Sequence, residues 1–153
     1  MRFGWSKAGL VLLVTAFVAA QFVPMHRTNP PVDETKTMFA VENPPAEVRR
    51  VLVRSCADCH SNQTRWPWYS WLAPASWLIG SDVQGARRKM NFSEWATYSP
   101  DRRSHEREEI CNEVIDKEMP KKQFSWFHPE AKLTDSEIEA ICTWTNGAPS
   151  SLE

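Results

Sequence analysis

Chemistry concentrates in five consecutive residues, Cys56-Ala57-Asp58-Cys59-His60. Two thiols three positions apart can add to the two vinyl groups of one haem and form thioethers. The histidine that follows is then placed under the ring, with an imidazole nitrogen for the iron. This is the attachment pattern of a c-type haem. Two other chemistries use the same residue types. A redox dithiol needs a βαβ setting, and none surrounds these cysteines. A zinc site needs a second closely spaced ligand pair, whereas Cys111 and Cys142 lie 31 positions apart. Haem c is therefore the expected cofactor, with zinc and dithiol readings as its rivals.

Iron used for electron transfer takes a sixth ligand, and the candidates are Met90, Met119, His105 and His128. Met119 is preferred: it follows a helix, precedes Pro120 and stands 59 residues after His60. Proline stops the helix, so the chain turns and can hold the thioether toward a ring. A neutral sulfur favours ferrous iron and raises the reduction potential relative to two histidines. The alternative for Met119 is a core plug at a helix end. Trp66, Trp68, Tyr69, Trp71 and Trp77 crowd together just after the motif. Flat rings suit the walls of a haem disc, and Trp66 and Trp68 are the expected contacts, with Arg65 as a propionate partner. The plain alternative is that each ring fills core.

The elements that must position these groups read as helices. Asn43 is a candidate cap and Pro44 suits a first turn, after which Val48, Val51, Leu52 and Ser55 share one face. Pro74 opens a second helix over Ala75 to Lys89, weakened by Gly80 and Gly85. Ser93 caps a short turn carrying Trp95. Ser104 is expected to start a third helix with Arg107, Ile110, Cys111 and Val114 along one side. The Arg102 to Glu109 charge run reads as its solvated face. Thr134 and Glu137 form a capping box for the last helix, which ends at Asn146-Gly147. Cys111 and Cys142 each lie on an apolar helical face. A disulfide between them is expected in an oxidising compartment, closing a loop worth about 3–4 kcal/mol; buried free thiols are the alternative. No segment alternates with period two, so the fold class is all-α: a small helical domain with long ordered loops over residues 46–147, then a tail over 148–153.

Ahead of that domain, Ala8 to Val23 is uncharged and broken only by Thr15 and Gln21, behind Arg2 and Lys7. Residues 1–23 read as a signal anchor, one N-terminal hydrophobic helix, or else as a signal peptide cut near Val18-Ala19-Ala20. Either sends the domain outside the cytoplasm, to the periplasmic side of a bacterial inner membrane, where disulfides persist. Pro24 to Pro45 holds five prolines without any period and reads as a tether.

Composition sets the outer limits. The 153 residues suffice for one domain, and 42% apolar with 24% charged excludes a disordered chain. A net charge of −1 leaves no electrostatic footprint for nucleic acid. No proton-transfer dyad, nucleophile or phosphate loop is present, so no enzyme is expected.

The run Cys56-Ala-Asp-Cys-His-Ser-Asn-Gln-Thr-Arg-Trp-Pro-Trp-Tyr, then Ala73-Pro-Ala-Ser-Trp, Asn91-Phe-Ser-Glu-Trp and Met119-Pro120, resembles the bacterial haem-binding domain family, a relative of cytochrome c. The resemblance covers about Pro24 to Gly147. It implies a cytochrome c-like fold, attachment at Cys56 and Cys59, His60 as proximal ligand and Met119 as distal ligand. Members often carry a hydrophobic leader ending in a pair like Gln21-Phe22, which favours the anchor. The expected function is a monohaem c-type cytochrome passing electrons to an unidentified redox protein. A haem-based sensor or peroxidase-like domain is the first alternative, a zinc-binding structural module the second.

Overall fold

The computed structural model describes residues 7–147, so Arg2 and the 148–153 tail lie outside the described residues. Every regular element among them is helical. Helix α1 covers Lys7–Ala20 and α2 Met38–Val41; α3 is Ala46–Ser55, α4 Ala57–His60 and α5 Ala75–Lys89. After these come α6, Pro100–Ile115, α7, Lys122–Phe127, and α8, Asp135–Gly147.

Helix α1 is apolar and has no buried residue. Its 14 described residues rise about 21 Å. No helix among the described residues is long and apolar enough to cross a membrane.

The stretch read as a tether is laid along the domain instead. Arg87 on α5 donates to the carbonyls of Thr28 (2.8 Å) and Ser61 (2.7 Å), to Asn29 Oδ1 (3.0 Å) and to Thr64 Oγ1 (2.8 Å). Further on, Thr37 caps α2, accepting from the Ala40 amide at 3.2 Å. Met38 is completely buried in the core with Val48, Leu52, Phe92 and Trp95. Prolines erase the periodicity by which a buried residue is usually recognised, so this packing leaves no pattern in sequence.

Helix α3 buries the expected face, Val48, Val51, Leu52 and Ser55, and begins after Pro45. Asn43 is not its cap: at φ 41° it makes the turn that leads in, a left-handed conformation asparagine tolerates. Helix α5 has the expected bounds. Helix α6 begins four residues before Ser104, because Ser99 caps it through the Arg102 amide (3.3 Å) and Pro100 suits its first turn. Its charge run is only partly a solvated face. Glu106 and Arg107 are buried, and Arg107 pairs with Glu42 at 2.6 Å. The other Glu42 oxygen accepts the Trp95 indole N–H at 2.7 Å, which joins α2, α6 and the turn over Phe92–Thr97.

The capping box of α8 forms: Glu137 accepts from the Thr134 amide (2.9 Å), and Thr134 from the Glu137 amide (3.3 Å). A Cys111–Cys142 disulfide links α6 to α8.

Candidate functional site

The site is built outward from α4, a single turn directly after α3. The amides of Cys59 and His60 both donate to the Cys56 carbonyl, at 3.1 and 3.0 Å, so the two cysteines sit one turn apart. The turn's own carbonyls would otherwise be orphaned. Ser61 Oγ donates to Ala57 O and Thr64 Oγ1 to Asp58 O, both at 2.7 Å, which explains the hydroxyls just beyond the motif. Asn62 and Asn91 bond side chain to side chain (2.9 Å), and the Asn62 amide donates to Ser93 Oγ (3.0 Å). This buried network fixes the loop after His60 against the residue that follows Met90.

Met90 matters because its carbonyl oxygen lies 3.1 Å from His60 Nδ1. With Nδ1 donating there, Nε2 is the nitrogen left with a lone pair, the arrangement a metal-ligating histidine needs. Burial lowers the pKa of His60, which favours the neutral ring. Phe92 stacks on it at 5.8 Å and limits its rotation. Cys56 and Cys59 are free thiols, each half-buried. Burial pushes their pKa values up, to about 12 and about 11, so both are protonated at neutral pH.

Cys56, Cys59, His60 and Met119 all line one cavity of about 270 Å³. Its walls are largely apolar, including Ile79, Val83, Phe92, Ile110, Val114 and Phe124. Met119 reaches it from the connection between α6 and α7. There the Glu118 and Met119 amides both donate to Glu113 O, at 3.0 and 3.1 Å, and turn the chain. The other ligand candidates are placed differently. Met90 also lines the cavity, but its backbone is bonded to His60 and its side chain belongs to the core. His128 also lines the cavity, but both its ring nitrogens are engaged, Nε2 with the Tyr69 hydroxyl (2.8 Å) and Nδ1 with Glu130 (3.2 Å). His105 is exposed on α6 and does not line the cavity.

Trp66 and Trp68 do not wall the cavity. Trp66 donates to Asn29 Oδ1 at 3.2 Å, and Trp68 is exposed, edge-on to Tyr69. The 3₁₀ turn over Trp68–Trp71 buries Ser70 and leaves Trp68 and Trp71 outside. The aromatic walls come from Tyr69, Phe92, Phe124 and Phe127. Arg65 lines the cavity, but its guanidinium is held by both Asp58 oxygens, at 3.1 and 2.9 Å. Two lysines in the lining escaped the sequence reading. Lys89 pairs with Glu113 and Lys121 with Asp82, at 2.7 and 2.6 Å, and nothing in a lysine's sequence position marks it as facing a cavity.

These donors fit a haem. The largely apolar walls suit a porphyrin, an imidazole and a thioether suit its iron, and two thiols match its vinyls. A zinc cage is not formed: among the described residues no three His, Cys, Asp or Glu side chains come together as metal ligands. The fold and cavity thus define an all-helical haem-binding domain. The sequence profile of the haem-binding domain family matches residues 15–147, and the chain belongs to that family. No curated protein and no solved structure matches it.

Proposed function

We propose that this chain is a monohaem c-type cytochrome, an electron carrier rather than an enzyme. Cys56 and Cys59 would hold the haem as thioethers, and His60 Nε2 and the Met119 sulfur would be the ligands offered to its iron. When bound, the haem supplies one-electron chemistry. The chain's own residues do the rest. Met90 O orients the imidazole, and the apolar wall excludes water. The observation that carries this reading is the convergence of two free thiols, an oriented imidazole and a thioether on one cavity.

The apolar α1, exposed along its length, supports a place at the outer face of a bacterial inner membrane with this helix as anchor. The redox partner is a protein. Expression of the full chain with a c-type maturation system tests the assignment. A red product is expected, with one haem added to the intact mass and a reversible change between oxidised and reduced spectra. A colourless product of unmodified mass overturns it.

A further inference from the structure

Five large side chains face outward near the haem cavity: Trp68 (75% exposed), Trp71 (64%), Leu72 (45%), Leu78 (67%) and Phe127 (65%). Leu78 and Phe127 also line the cavity, so they mark its mouth. Tyr69 joins Phe127 to Trp68, with ring centroids 4.9 and 5.7 Å away. Trp71 lies in the same 3₁₀ turn as Trp68, and Leu72 follows directly.

This surface meets the end of α1. Gln21 exchanges two hydrogen bonds with the Ala73 backbone, at 3.0 and 3.3 Å. Trp77 Nε1 donates to Val23 O at 3.4 Å. Met25 fills the notch left by Gly80, where an added Cβ would overlap its side chain. Arg27 lies 3.9 Å over the Trp71 ring and donates to Ser70 O at 2.8 Å. The bare apolar helix and the aromatic surface are therefore continuous.

We infer that this surface seats in the headgroup boundary of a lipid bilayer and holds the mouth of the haem cavity against the membrane. The inference rests on the reading of α1 as an anchor. Indoles favour that boundary because they are apolar plates with one N–H donor. Arg27, stacked on Trp71, supplies a cation for lipid phosphates. A protein partner would cover the aromatics equally well, but would not account for their continuity with α1.

The test uses the full haem-loaded chain in vesicles of phosphatidylethanolamine and phosphatidylglycerol. The photo-reactive residue p-benzoylphenylalanine replaces Leu72, Trp68, Phe17 on α1, or Glu139, an exposed control on α8. After illumination, lipid adducts are expected at Leu72, Trp68 and Phe17, with none at Glu139. Lipid adducts at Phe17 alone overturn the inference and leave the anchor standing. Cross-links from Leu72 or Trp68 to a second copy of the chain also overturn it. Absence of lipid at Phe17 overturns the anchor itself.

Discussion

His60 Nδ1 and the Met90 carbonyl oxygen lie 3.1 Å apart, and this bond determines which ring nitrogen is left for a metal. The carbonyl is held in turn by the next residue, since Asn91 bonds Asn62 and the Ser93 amide, at 2.9 and 3.0 Å. Replacing Asn91 with alanine leaves a buried oxygen of Asn62 and a buried amide without partners. A loss of about 1–3 kcal/mol is expected, measured by denaturant unfolding of the haem-loaded protein.

Met119 shares the cavity with His60 but comes from a different element. Met119→Ala is expected to lower the reduction potential and to let carbon monoxide bind the reduced protein, whereas the unaltered protein resists it. Redox titration and reduced spectra under carbon monoxide check both. Ready uptake by the unaltered protein would favour a sensor or peroxidase-like site. Unchanged potential and spectra in the variant would remove Met119 from the iron.

Arg87 holds residues 28–29 against the loop that follows the haem motif, through four hydrogen bonds. Arg87→Met keeps much of the stem and removes all four. The expected cost is about 2–3 kcal/mol. Hydrogen exchange should rise in residues 24–31 while α8 stays protected.

Legibility followed periodicity. Helices α3 and α8 were readable because an apolar face repeats along them and α8 carries its capping box, while α5 was marked by the proline that opens it. Ser104 marked the start of α6 too late, because the cap is Ser99 and the proline beside it suits a first turn. Met38 was unreadable: it is one buried residue in a four-residue helix among prolines, too short for any period. The five-residue motif pointed to haem because its cysteine and histidine spacing is the one thioether attachment would require. Trp66 and Trp68 misled because an indole's identity says nothing about whether it faces a cavity or the outside. The burial of Arg107 was hidden because its partner, Glu42, lies 65 positions away.

The Cys111–Cys142 disulfide closes a 31-residue separation between α6 and α8. Replacing both cysteines with serine is expected to cost about 3–4 kcal/mol in the chain-entropy account. The unfolding midpoint should fall by about 10 °C, as seen by circular dichroism.

Arg54 holds the Glu137 carboxyl at about 2, against an ordinary 4.5. Because the folded value is the lower one, the pair's stabilisation is complete above pH 4.5 and disappears as pH falls toward 2. The two side chains are partly exposed, so its size is about 1 kcal/mol. Glu137→Gln should unfold more easily than the parent at pH 7 and match it near pH 2, in parallel urea titrations.

The bonds between Arg87 and residues 28–29 also set how far the domain can travel. Fully extended, residues 24–45 would reach about 70 Å, enough for a carrier to shuttle between distant stations. Folded back along the domain, that length offers no slack. If α1 sits in the bilayer and the chain carries electrons, as proposed, the haem pocket patrols a thin layer beside the membrane, and its electron donor and acceptor must do the travelling.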